Sequence, residues 1–204
     1  GPEDRAKLRQ ALSIPPDTVV FGILARIEDY KGHLYLVHAA KLLKEQGRSG
    51  FRVLIAGTGS FEEDVARAVV EMGVEDVVQM LGFRADVAAL LNILDVQLNA
   101  SYGTEATSLA LLEGMSLGLP TIASDYGGNP WLVTNGDNGL LFPSRDSQSL
   151  AKAMAHLMDK PEERREMGRQ ARERFQTSFT GQVFAKNIEN VYQGVLKGDP
   201  HGRK

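Results

Sequence analysis

The sequence predicts an α/β fold, a Rossmann-like open parallel sheet of about six strands with helices on both faces. Two observations carry that prediction. Six short apolar runs, at residues 19–25, 51–57, 77–82, 94–100, 120–124 and 139–142, alternate with segments of helical spacing. Most of those runs are continuously apolar rather than alternating in and out, as parallel strands covered on both faces must be. A strand–helix–strand alternation of this kind implies right-handed crossovers and one open sheet.

Taken in order, Gly1-Pro2 reads as the remnant of a cleaved tag, which leaves 3–196 as the domain. The first apolar run is followed by a helical pattern at 31–46, the second by one at 60–72 and the third by one at 85–93. The fourth leads into 107–117, the fifth into 129–133 and the sixth into 146–158, each with helix-like spacing or a helix-start residue. Two further helical segments close the chain. Glu and Arg at mixed spacing dominate 161–175, which suits a solvated face. In 181–196, Val183, Phe184, Ile188, Val191, Tyr192 and Val195 form an apolar stripe. That stripe fits either packing on this domain's own sheet or contact with a partner domain. The tail 197–204 reads as disordered.

Composition excludes several classes of function. The 204 residues are 43% hydrophobic and 24% charged, ordinary for a soluble globular protein. A formal net charge of −3 gives no reason to expect a nucleic acid or an acidic membrane as the main partner. The sequence contains no cysteine, so disulfides and thiolate metal sites are out of reach. No apolar run approaches the roughly 20 residues needed to span a bilayer. The expected localisation is cytoplasmic.

Ligands of open α/β sheets bind beyond the carboxyl ends of the strands. The loops there collect glycines and charges: Arg26 to Gly32, Gly57-Thr58-Gly59-Ser60, Phe83-Arg84, Ser101 to Glu105, and Asp125-Tyr126-Gly127-Gly128. Arg26 and Lys31 bracket one loop and could converge on a diphosphate, the first as a planar fork and the second as a point charge. Gly57 and Gly59 permit close backbone approach, but Glu62 stands where the third glycine of G-x-G-x-x-G belongs. Glu113 is the one charge in the stretch 109–117, which is nearly all apolar. A helix apolar all round is a buried helix, so Glu113 is expected on a buried helix with strong donors, such as two ribose hydroxyls, or reaching a polar cleft, or else with a structural partner. Thr107 or Ser108 can cap this helix, whose first turn favours an anion.

These residues together resemble a known family. Ala25-Arg26-Ile27-Glu28-Asp29-Tyr30-Lys31-Gly32 resembles the "GR-L-x-x-x-KG" segment of retaining GT-B glycosyltransferases of the large family 4 group. Glu105-x7-Glu113 and the following Gly114 to Pro120 resemble that family's E-x7-E motif and its "E-A-M-A-x-G-x-P" continuation. Asp125 to Pro130 resembles its "D-x-GG-x-P" turn. The resemblance implies one half of a GT-B fold, the half that binds a UDP-, GDP- or ADP-linked sugar. It implies that Arg26 and Lys31 hold the diphosphate, that Glu113 binds the ribose, and that Glu105 approaches the transferred sugar. It places Ala106, Thr107, Ser108 and Leu109 near the distal phosphate or sugar, Phe83 and Arg84 at the base, and Gly57 and Gly59 along the same site. It further implies retention of configuration without an obligatory metal, an acceptor-binding N-terminal domain outside this chain, and membrane-surface work by some full-length members.

Three departures stand against the pattern: Ala25 for Gly, Ala106-Thr107-Ser108 for "G-F-G", and Trp131 for Glu. The alternatives are a nicotinamide-binding domain, disfavoured by the first loop, a nucleotide-sugar epimerase, and a binding domain without turnover.

Overall fold

The computed structural model describes residues 1–103 and 108–196. Six parallel strands, β1 (Val19–Leu24), β2 (Phe51–Ala56), β3 (Val78–Gly82), β4 (Val96–Asn99), β5 (Thr121–Ser124) and β6 (Gly139–Phe142), form one sheet in the order β3-β2-β1-β4-β5-β6. The expected α/β architecture is therefore present. Each apolar run of the sequence holds a strand, though the runs overreach by one or two residues at half of their ends. The order reverses between β1 and β4, where β1 pairs with both β2 and β4 (Phe21 with Val53 and with Val96). A crevice opens at such a switch point because successive crossovers leave on opposite faces.

The pleat of the strands feeds two cores. Phe21, Val53 and Ile55 point to one face and pack with Leu36 and Leu43 of α2 (His33–Glu45), Val65 and Val69 of α3 (Glu62–Glu71), and Leu150 and Met154 of α7 (Ser147–Asp159). Their neighbours Val20 and Leu54 point the other way, onto Leu90, Leu91 and Ile93 of α4 (Val87–Ile93). A third cluster joins Leu111 and Met115 of α5 (Leu109–Ser116) to Leu132 of α6 (Asn129–Leu132) and Ala171 of α8 (Pro161–Ser178). Burial on both faces explains why the strands read as unbroken apolar runs.

Two features depart from the sequence reading. A first helix, α1 (Pro2–Ala11), starts at Pro2 and precedes β1. It carries no strong apolar stripe, and two arginines fasten it instead. Arg9, 8% exposed, donates to the carbonyls of Ile93 and Thr18 and to Asp95 Oδ2 at 2.7 Å, while Arg5 reaches Asp95 Oδ1 at 2.7 Å. The Val20 N–H completes the set at 2.8 Å from Asp95 Oδ2. Second, α8 is not wholly solvated: Met167, Gly168 and Ala171 are buried where it lies along α5, and a Cβ on Gly168 would collide with the Gly118 carbonyl. The apolar stripe of α9 (Gly181–Leu196), for which the sequence left two placements open, does not pack on the sheet among the described residues. Its Phe184, Val191 and Tyr192 are 66%, 57% and 67% exposed. The tail 197–204 lies outside the described residues.

Candidate functional site

Beyond the carboxyl ends of β1 and β4 lies a cleft of about 470 Å³. One wall is the loop after β1, carrying Arg26 and Lys31; the other is the start of α5, with Ser108, Leu109 and Ala110. Gln97, Asn99 and Ser101 form the floor. A second arm of about 250 Å³ continues past Ala25 and Arg26 to Gly57, Thr58, Phe83, Arg84 and Glu113. The structure thus gathers Arg26, Lys31, Gly57, Phe83, Arg84, Ser108, Leu109 and Glu113 around one connected edge of the sheet. Gly59 packs one step behind, and Glu105, Ala106 and Thr107 lie outside the described residues.

The loops are sewn together by backbone. Ile27, fully buried, donates to the Thr58 carbonyl at 2.9 Å and accepts from Phe61 N–H at 3.0 Å. Gly57 N–H donates to the Gly82 carbonyl at 2.8 Å, which ties the second loop to the third strand. Glycine is required at two of these points. Gly57 has φ +144°, and a Cβ on it would collide with the Ala25 carbonyl; a Cβ on Gly59 would meet the Ile27 carbonyl. The Gly-x-Gly turn therefore lets two loops touch, which is a packing reason for glycines that the dinucleotide fingerprint does not describe.

The cations sit in different settings. The Arg26 side chain is exposed and its Nη2 donates to the Tyr30 hydroxyl at 3.2 Å, which holds the fork at the cleft mouth. Lys31 ends a short 3-10 turn (Asp29–Lys31), with its Nζ 5.6 Å from the Tyr30 ring centroid. The following α2 opens on His33, which is 1% exposed and has no hydrogen-bond partner at either ring nitrogen among the described residues. Burial, and then the charge of Lys31, push its pKa down to about 4, so it is neutral at physiological pH. Opposite, Ser108 caps α5 by accepting the Leu111 N–H at 3.4 Å, and the first turn of that helix faces the cleft. Two cations and a helix N-terminus thus converge on one space, an arrangement that attracts anions.

The helix of Glu113 corrects the sequence reading of a buried helix. Glu113 is exposed, and its carboxylate has no hydrogen bond or ion pair among the described residues. The apolar residues around it misled: Leu109 and Leu117, one turn before and after, are 73% and 50% exposed on the same stripe. Leu111, Gly114 and Met115 are buried on the core side, with Leu112 packed partly buried beside them. Glu113 instead lines the second arm of the cleft, where a ligand could take up its lone pairs. Arg84 is less available, since its Nε and Nη2 pair with both oxygens of Asp86 at 2.7 and 2.6 Å. Phe83 stands at the rim, 76% exposed.

Two of the floor residues, Gln97 and Asn99, escaped sequence reasoning. Gln97 is 3% exposed and donates to the Leu111 carbonyl at 3.0 Å and to Thr121 Oγ1 at 2.8 Å, fixing the height of α5 over β4. Asn99 accepts from Ser101 N–H at 3.0 Å, and Ser124 donates to the Ser101 carbonyl at 2.5 Å. Asn129, fully buried, donates to the Ser124 carbonyl at 3.1 Å, so the turn 125–130 braces the loop after β4. Polar residues at alternate positions of a buried parallel strand were the available signal. Trp131 points away from this network and is 80% exposed. No group of three or more His, Asp or Glu residues among the described ones is placed to hold a metal ion. Nor is any helix among them long and apolar enough to cross a membrane.

Residues 4–174 match the family model of glycosyl transferases group 1. A D-inositol 3-phosphate glycosyltransferase of Saccharomonospora viridis is 34% identical over 205 residues, 96% of this chain and 47% of that protein. An N-acetyl-alpha-D-glucosaminyl L-malate synthase of Bacillus anthracis is 32% identical over 152 residues, 74% of this chain and 40% of its own. The chain thus spans about half the length of the curated relatives it matches or less. Among solved structures, Anabaena Alr3699/HepE in complex with UDP superposes with TM-score 0.87 at 25% identity, over 95% of this chain and 53% of that one. A C-terminal domain of a glycosyl transferase group 1 family protein (LpcC) from Francisella tularensis shares the fold, with TM-score 0.77 at 24% identity over 87% of this chain and 94% of that one.

Proposed function

Because the chain belongs to the glycosyl transferases group 1 family, we propose that it is the donor-nucleotide half of a retaining hexosyltransferase. The observation that carries this is the convergence of Arg26, Lys31 and the start of α5 on a cleft whose side arm ends in Glu113. A nucleoside diphosphate sugar supplies the matching chemistry. Its diphosphate sits between the two cations and the α5 amides; its ribose hydroxyls donate to Glu113; its base lies toward Phe83 and Arg84. The UDP and UDP-glucose complexes of Anabaena HepE support a nucleotide ligand on this fold.

The roles follow from charge. Breaking the bond between sugar and phosphate adds a negative charge to a departing diphosphate that already carries two. Arg26 and Lys31 stabilise that charge as it develops, and so bind the transition state more tightly than the ground state. Glu105 belongs on the sugar side of the same reading. The acceptor is held by a domain outside this chain, so the chain alone binds nucleotide without sustained turnover. Association of the whole protein with a membrane surface remains part of this proposal.

Calorimetric titration of UDP, GDP and ADP tests the reading, with Lys31→Ala and Glu113→Ala alongside. The reading requires one nucleotide to bind and both substitutions to weaken it. Failure of all three nucleotides to bind the folded chain contradicts it.

A further inference from the structure

A second cleft, of about 530 Å³, opens on the far side of the loop that carries Lys31. Its size lies within the ~300–1,000 Å³ typical of small-molecule sites. A thin wall separates it from the nucleotide cleft. Lys31 and Ser101 line the first cleft, while Asp29 and Tyr102 line the second. Across the wall, Tyr102 N–H donates to the Tyr30 carbonyl at 2.8 Å. Nothing in the nucleotide reading uses this space.

Its base is aromatic. The rings of Tyr35 and Tyr102 meet edge to face with centroids 5.7 Å apart, and the Arg145 guanidinium lies 4.3 Å from the Tyr102 centroid. Its rim is planar and polar, with the Asp29 carboxylate, the His38 imidazole and the Gln148 amide. Burial, and then the Asp29 carboxylate beside it, push the Tyr102 phenol up to about 12, so it stays a donor across the physiological range. Arg145 makes no ion pair or hydrogen bond among the described residues, and it holds φ at +65°.

The chemistry of these walls narrows the ligand. An apolar molecule would cut the Asp29 carboxylate and the Arg145 guanidinium off from water, with only the Tyr102 hydroxyl to satisfy the carboxylate. A simple anion would meet Asp29 as well as Arg145. A pyranose ring suits all of them. Its C–H face packs on tyrosine rings, and its hydroxyls both donate and accept, matching a carboxylate that only accepts, a guanidinium that only donates, and an amide that does both. We propose that this second cleft binds an uncharged sugar ring of the glycan that receives the transferred residue. The sugar binding stands on the cleft alone; its place on the acceptor side rests on the proposed function.

The test is an array of neutral mono-, di- and trisaccharides of hexoses and N-acetylhexosamines, followed by saturation-transfer NMR on the sugars retained. The Arg145→Gly variant removes the guanidinium and suits the left-handed backbone, so it keeps the fold. It is expected to bind the retained sugar at least tenfold more weakly, with UDP affinity unchanged; Gln148→Ala should also lose affinity. Sugar binding that survives without any UDP binding would support this cleft while contradicting the nucleotide reading. An array with no retained sugar overturns the proposal. So does Arg145→Gly binding as the parent does, or UDP displacing the sugar, which would put it in the first cleft.

Discussion

Replacing Glu113 by alanine separates a binding role from a structural one, because the residue's surroundings predict opposite effects on the two. The side chain is exposed and takes no partner among the described residues. Its loss removes no internal hydrogen bond, and alanine is the better helix former, so stability should stay within about 0.5 kcal/mol of the parent. Nucleotide binding should respond differently. Two ribose hydroxyls donating to a carboxylate are worth roughly 1.5 kcal/mol each at the low end, which applies because both partners are hydrated before they meet. The loss is then about 3 kcal/mol, roughly a hundredfold in Kd. Glu113→Gln keeps one neutral acceptor and should fall about midway, near tenfold. Urea unfolding and calorimetry on the same preparations measure both quantities. Unchanged nucleotide affinity in Glu113→Ala, or a stability loss of 2 kcal/mol or more, would refute the reasoning.

Other perturbations reach the scaffold. Gly57→Ala forces a side chain into a left-handed backbone against the Ala25 carbonyl, and should cost at least about 2 kcal/mol in urea unfolding; a neutral result would mean the loops after β1 and β2 can part cheaply. Asp95→Asn leaves two arginines of α1 without their shared carboxylate and should cost about 3 kcal/mol, with loss of protease resistance at the N-terminus as the local readout. His33 gives a pH signature. Its pKa in the fold, about 4, is below the ordinary 6.5, so the unfolded chain takes up the proton first and stability falls as pH drops from 6.5 towards 4. Over that window the parent should lose about 3 kcal/mol relative to His33→Leu; parallel pH profiles for the two proteins would contradict it.

The sequence made the sheet legible because parallel strands buried on both faces leave unbroken apolar runs, and 51–57 or 19–25 can hardly be read otherwise. It made the site's edge legible because the glycines and cations of Arg26, Lys31 and Gly57 fall just after those runs. It failed where contacts replace patterns. α1 is held by Arg5 and Arg9 reaching Asp95, some 86 to 90 residues away in sequence, and no local periodicity records that. The burial of the helix around Glu113 was misread because Leu109 and Leu117 are apolar yet exposed, so counting hydrophobes could not tell a cleft wall from a core face. Gln97 and Asn99 were overlooked inside an apolar run, although a buried polar residue in a strand always requires partners. Arg145 and Tyr102 come together from loops after different strands, which only the fold brings into contact.

The central claim is that a nucleoside diphosphate occupies the crevice between β1 and β4. A crystal structure of this chain soaked with UDP tests it most directly. The account predicts the diphosphate between Arg26, Lys31 and the first turn of α5, with the ribose hydroxyls on Glu113. UDP bound elsewhere on the chain, or in this cleft with its ribose turned away from Glu113, would contradict it.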